Sequence, residues 1–219
     1  SAFPRPLRTF SAGAMPVSIY ASNQALGRAA AAAVAEVIIR LSRTQPVVRL
    51  LIGTGNSQLT FIHALTQDHA LPWDQIECFH MDEYVGISAS HPASFRRWMK
   101  ERVVETVRPK QFHFVAGDAP DPEAEAARYA QRLDERPLDI TCLGIGENGH
   151  IAFNDPPFAD FNDPLTVKMV SLDATSRYQQ VGEGHFPTLE AVPTHALTVT
   201  VPLLLSARHV FGIVPESRK

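Results

Sequence analysis

His150 and Asp155 stand five residues apart in a run otherwise built, apart from Glu147, from glycine, amide and apolar residues, Leu143-Gly144-Ile145-Gly146-Glu147-Asn148-Gly149-His150-Ile151-Ala152-Phe153-Asn154-Asp155-Pro156. Histidine is the one side chain there that gains or loses a proton near neutral pH. A carboxylate bonded to its ring would fix the tautomer and make the pair a proton carrier for oxygen atoms. Gly144, Gly146 and Gly149 let the backbone turn sharply and come close to a ligand. A loop histidine satisfied by backbone fits the same residues, so other clusters must decide between the readings.

Two other clusters carry polar chemistry. Asp82 and Glu83 follow the apolar run Ile76-Glu77-Cys78-Phe79-His80-Met81. Adjacent loop acids often do no more than cap a turn, but a carboxylate desolvated at a strand end has the raised pKa that a base acting on carbon needs. Gly53-Thr54-Gly55-Asn56-Ser57 offers backbone N–H groups, two hydroxyls and a following helix start, which suit a phosphate. It matches neither GxxxxGK[ST] nor GxGxxG, and a strand-to-helix turn needs glycine for its shape whatever it binds. No GxSxG elbow supplies a triad nucleophile. His80-x-Asp82 lacks an HxH or HExxH pattern, so no metal site is expected.

The elements that must hold these clusters alternate. Ser22 can cap an Ala-rich helix running to about Leu41, and Val47 to Ile52 reads as a strand. A second helix starts at the Gly53–Ser57 turn. Ile76–Met81 reads as a strand, Phe95–Val107 as a helix, Phe112–Val115 as a strand, Pro122–Leu133 as a helix and Leu138–Leu143 as a strand. After a long irregular stretch, Ala196–Val201 and His209–Val214 supply two more strands. The pattern predicts a single-domain α/β fold, Rossmann-like, with a mostly parallel sheet and helices on both faces. Ligands of such sheets bind at the carboxyl ends of strands, so all three clusters should meet on one rim.

Composition narrows the function classes. The 219 residues carry a formal net charge of −3 and no basic run, which argues against a nucleic-acid surface. The longest low-polarity segment, residues 25–41, is broken by Arg28, Glu36 and Arg40 and is too polar for a membrane span. Cys78 and Cys142 lie in apolar runs without CxxC spacing, as buried thiols in a reducing compartment would. With no signal-peptide pattern, the expected location is cytoplasmic. Residues 1–16, with Pro4 and Pro6, read as a poorly structured leader, and 17–219 as one catalytic domain.

Taken together, Gly53-Thr54-Gly55-x-Ser57, Met81-Asp82-Glu83-Tyr84-Val85-Gly86, His91-Pro92-x-Ser94-Phe95 and the Gly144–Pro156 motif resemble the glucosamine-6-phosphate deaminase (isomerase) family, within the larger group that includes 6-phosphogluconolactonases. The resemblance runs from about Val17 to the last residue. It implies an enzyme that opens the ring of an amino-sugar phosphate, isomerises it and releases ammonia, leaving fructose 6-phosphate, with no organic cofactor. It assigns Asp82 as the base between C2 and C1 and His150 as the ring-opening acid/base, supported by Asp155, where many members have Glu, and Asn148, where some have Asp. It implies substrate or phosphate contacts from Gly53, Thr54, Gly55, Asn56, Ser57, Glu83, Gly149 and Lys219. Arg177 and His185 are its candidates for a lid contact, in a stretch where Gly182 and Gly184 allow movement. It also implies a C-terminal part of the domain beyond Lys219.

Two rivals stay open on the sequence. A 6-phosphogluconolactonase shares the phosphate loop and glycine-histidine motif, but that family tends to show Asp-Glu-Arg and Ser-Leu-Phe-Pro where this chain has Asp82-Glu83-Tyr84 and Phe153-Asn154-Asp155-Pro156. A non-catalytic sugar-phosphate sensor would need a DNA-reading module, and the segment before Val47 offers none. A homo-oligomer is compatible with the sequence, and a gluco or galacto preference is not written in it.

Overall fold

The computed structural model of the chain describes residues 3–156, 158–182, 184 and 186–216. Ser22 does begin the first long helix, α1 (Asn23–Ser42), its hydroxyl accepting from Ala25 N at 3.1 Å. Before it lies an antiparallel hairpin of β1 (Arg8–Ala12) and β2 (Met15–Ile19). This corrects the expectation of an unstructured leader. Gly13, at φ +61°, turns the chain, and alternation places Phe10, Met15, Val17 and Ile19 on one face.

The centre is a five-stranded sheet in the order β10-β7-β3-β4-β6, every pairing parallel. Its strands are β3 (Val48–Ile52), β4 (Ile76–His80), β6 (Gln111–His113), β7 (Ile140–Leu143) and β10 (His209–Gly212). Between β3 and β4 a short 3-10 turn, Asn56–Gln58, leads into α2 (Leu59–Thr66). After β4 come β5 (Asp82–Tyr84), α3 (Phe95–Met99), a π segment over Lys100–Val104 and α4 (Glu105–Val107). The expected 95–107 helix is therefore real but widened in its middle. Asp121 caps α5 (Pro122–Asp134), whose opening proline costs no hydrogen bond there.

Between β7 and β10 the chain departs from expectation. The stretch read as irregular contains β8 (Val167–Ser171) and α6 (Ala174–Gly182). The strand expected at Ala196–Val201 is β9 (His195–Val199), followed by α7 (Val201–Leu204), and it does not join the parallel sheet. β5, β9 and β8 instead form a separate antiparallel sheet in that order.

The cover on the two faces of the main sheet is correspondingly unequal. Val48, Leu50, Ile52, Ile76 and Cys78 pack against α1, α2 and α3 through Val34, Ile38, Phe61, Ile62 and Met99. The alternate residues Leu51 and Phe79 pack against Ala126, Tyr129 and Leu133 of α5 and against Leu197 and Val199 of β9. Helices were expected on both faces; on the second, a helix shares the work with a sheet. Each fully buried large apolar side chain contributes about 1.5–3 kcal/mol. Among the described residues no helix is long and apolar enough to cross a membrane.

One charged cluster holds β3, β4 and α5 together. Buried Arg49 pairs with Glu77 at 3.1 Å, stacks over Phe79 at 4.8 Å and donates to the carbonyls of Arg132, Leu133 and Arg136. Glu77 also meets His113 Nε2 at 2.7 Å and Arg136 at 3.2 Å. Burial alone would raise the Glu77 pKa, but the His113 bond and the Arg49 charge outweigh it and hold the carboxyl below its ordinary range. With the folded value below the unfolded one, its stabilisation is complete above about pH 4.5 and is lost as pH falls through the folded value. Glu77→Gln, which leaves Arg49 buried without its counter-charge, should cost about 3–5 kcal/mol at neutral pH. The difference from the parent should shrink in acid, as urea unfolding at the two pH values would measure.

Candidate active site

Three loops leave the carboxyl ends of adjacent parallel strands and face one cavity of about 610 Å³. From β3 comes the 53–57 turn, from β4 the Met81-Asp82 step, and from β7 the 144–153 loop. Glu216, just after β10, and Gln179, Gln180 and Gly182 of α6 complete the wall. The register explains the convergence: Ile52 stands beside both His80 and Cys142, so all three loops start at one level. The ladder continues one step further, with Gly53 N donating to Cys142 O at 2.8 Å.

The 53–57 turn has the form of an anion cradle. Gly55 holds φ +100°, a conformation that a side chain would strain, and no side chain caps the turn or the start of α2. Helix-start N–H groups left without a protein acceptor attract negative charge.

Asp82 is 7% exposed and lines the cavity. Among the described residues no group hydrogen-bonds its carboxylate, and burial, reinforced by the neighbouring Glu83 charge, pushes its pKa up to about 8. Glu83, expected as a substrate contact, points elsewhere. It is fully buried and accepts from Ser94 Oγ at 2.7 Å, Phe95 N at 3.1 Å and Arg96 N at 3.0 Å, anchoring the start of α3. Strand alternation puts the two carboxylates on opposite sides of β5, one toward the cavity and one toward α3.

His150 is held on its Nδ1 side. That nitrogen lies 2.5 Å from Asn148 Oδ1 and 3.2 Å from Asp155 Oδ1, while Asn148 Nδ2 donates to Asp155 Oδ1 at 3.0 Å. Facing only acceptors, Nδ1 carries the proton, which leaves Nε2 as the basic nitrogen. The ring lies over Gly146, where any Cβ would collide with it. The loop folds back by Gly146 N donating to His150 O at 2.8 Å, with Gly149 at φ +84° and Ala152 at the unusual φ +52°.

The expected lid residues fare differently. Arg177 is on α6, but its Nη2 donates to Leu189 O and Val192 O at 2.8 and 3.0 Å, and it does not line the cavity. Two backbone carbonyls of a neighbouring turn accept from its guanidinium. His185 and Lys219 lie outside the described residues. Glu147, Gln179, Gln180 and Glu216 line the cavity and were not anticipated, although the Gln179-Gln180 pair in the expected lid was a readable signal. Among the described residues no cluster of three or more His, Cys, Asp or Glu could hold a metal ion.

Residues 21–219 match the family described as Glucosamine-6-phosphate isomerases/6-phosphogluconolactonase. The chain belongs to this family. It is 39% identical to a glucosamine-6-phosphate deaminase of an Exiguobacterium species over 168 residues, covering 77% of this chain and 64% of that protein. The deaminase of Bacillus pumilus is 33% identical over 212 residues, 94% of this chain and 84% of its own. The chain thus spans under two thirds of the Exiguobacterium relative's length. Among solved structures, a monomeric glucosamine-6-phosphate deaminase superposes with a TM-score of 0.78 at 30% identity, over 87% of this chain and 78% of that one. A 6-phosphogluconolactonase of Shewanella baltica gives 0.70 at 18% identity over 87% and 77%, a likeness of fold alone.

Within this family fold, the Asp82 environment has a measurable consequence. Its folded pKa lies above its unfolded value, so stability that is complete below about pH 3.8 is lost as pH rises to about 8. Asp82→Asn removes the titrating group. Relative to the parent, the variant should gain thermal stability progressively across that window and level off above it, as paired melting curves would record.

Proposed function

We propose that the chain converts glucosamine 6-phosphate and water to fructose 6-phosphate and ammonia. The observation that carries the proposal is a buried, unbonded carboxylate, Asp82, sharing a cavity with an imidazole whose free nitrogen is basic. A base of this kind, protonated only below about pH 8, suits proton removal from carbon. The names of the family relatives support the substrate, and the 53–57 turn supports its phosphate.

The chemistry follows from these roles. His150 Nε2 moves a proton between the ring oxygen and the C1 hydroxyl as the sugar opens. Asp82 then takes the proton from C2 and returns it to C1 while one nitrogen proton passes to the C1 oxygen, turning the aldehyde carbon into an alcohol and the amine-bearing carbon into an imine. Water adds to that imine and ammonia leaves, so atoms balance without an organic cofactor. Asn148 and Asp155 hold the ring by its Nδ1 side and fix its orientation. In this reading residues 17–219 form the catalytic domain, working on a small sugar phosphate in the cytoplasm.

Ammonia and fructose 6-phosphate, followed together from glucosamine 6-phosphate, should appear in equal amounts. Asp82→Asn should lower kcat about 10²–10⁴-fold, the usual contribution of a positioned base. Because the base must be ionised, kcat/KM of the parent should rise with pH up to about 8. Hydrolysis of 6-phosphogluconolactone with no ammonia release would overturn the proposal in favour of the lactonase.

A further inference from the structure

Gln58 is fully buried directly behind the 53–57 turn, and its amide makes two contacts that fix which end is which. Nε2 lies 3.1 Å from the carbonyl oxygen of Ile213, which can only accept, so the atom there is the nitrogen. The same nitrogen lies 3.1 Å from Ser57 Oγ. An amide nitrogen has no lone pair to offer, so Ser57 must accept from it. The Ser57 hydroxyl proton is thereby barred from turning inward and is left to donate on its other side, and Ser57 lines the cavity.

Two further observations bear on this arrangement. Oε1 of Gln58 is buried with no partner among the described residues, a penalty that an apolar side chain of similar size would avoid. Such a side chain would also lose both donated bonds. The pair fits closely under the neighbouring loop: a Cβ at Gly144 would come within 3.0 Å of Gln58 Nε2 and 3.2 Å of Ser57 Oγ. Gln58 therefore links three segments, the turn after β3, the loop after β7 and the residue after β10.

We propose that Gln58 is a positioning residue for the phosphate of the substrate: by donating to Ser57 Oγ it holds that hydroxyl as a donor toward the anion. The proposal rests on the sugar-phosphate reading above and adds the group that orients the cradle. It differs from a packing role in one respect, that its effect must pass through Ser57.

The test is a double-mutant cycle on the full chain, with inorganic phosphate as the probe, in calorimetry and as a competitive inhibitor. Gln58→Met and Ser57→Ala should each weaken phosphate binding about tenfold, the scale of one hydrogen bond to a charged group. In the kinetics the loss should fall on KM for glucosamine 6-phosphate and spare kcat. In a Ser57→Ala background, Gln58→Met should have no further effect on phosphate affinity. Unchanged affinity in folded Gln58→Met, or losses that multiply in the double variant, would overturn the proposal. If Gln58→Met does not fold, Ser57→Ala alone decides, because unchanged phosphate affinity there removes the hydroxyl through which Gln58 acts. Wild-type turnover is read separately. Parent protein that binds phosphate but releases no ammonia would overturn the deaminase reading and leave the Gln58 comparison intact. Parent protein that binds no phosphate would overturn both.

Discussion

The chain changes sheets at Met81. β4 ends at His80 in the parallel sheet and β5 begins at Asp82 in the antiparallel one, so a single residue separates two hydrogen-bonding systems of different direction. Backbone groups at such a seam lose their ladder partners and must be satisfied otherwise. The Tyr129 hydroxyl from α5 does this for His80, accepting from its N–H at 3.1 Å and donating to its carbonyl at 2.7 Å. The His80 ring accepts from Val115 N at 2.9 Å, and burial depresses its pKa to about 3, so it stays neutral beside the Asp82 carboxylate. The core on both sides is arranged around keeping this crossing dry.

That seam gives adjacent carboxylates opposite characters. Both are raised by burial, Asp82 with no bond to offset it and Glu83 with backbone and hydroxyl donors that partly do. The consequence is division of labour between neighbours: the bonded acid fixes α3 and the unbonded one is left with a reactive lone pair. Pairs of titratable groups separated by environment are a general route to assigning such roles.

Where local chemistry decided the structure, the sequence could be read. Ser22 and Asp121 begin their helices by capping, and the apolar runs at 48–52, 76–80 and 140–143 form the parallel core because strands covered on both faces need no polar alternation. The three functional loops follow from that sheet. What was not legible depends on distant partners. β5 is three residues long and is a strand only because Asp82 pairs with Thr198. β8 exists by pairing with β9, and the first hairpin was obscured by prolines and by an apolar face without a core to fill. Arg177 was expected in a lid-like irregular stretch; it lies on α6, and its contacts with Leu189 and Val192 depend on a turn that no spacing rule anticipates.

Arg49 has a consequence for synthesis on the ribosome. Its acceptors at Arg132, Leu133 and Asp139 lie 83 to 90 residues further along the chain. At roughly 5–20 residues per second, β3 would leave the exit tunnel about 4–18 s before the groups that satisfy it. During that interval β3 and β4 can pair, but one face of the sheet has no cover and the guanidinium has no complete set of acceptors. The folding order is thus imposed by topology: the strand at the centre of the sheet is made early and completed late, and a chaperone that shields exposed apolar surface would act in the gap.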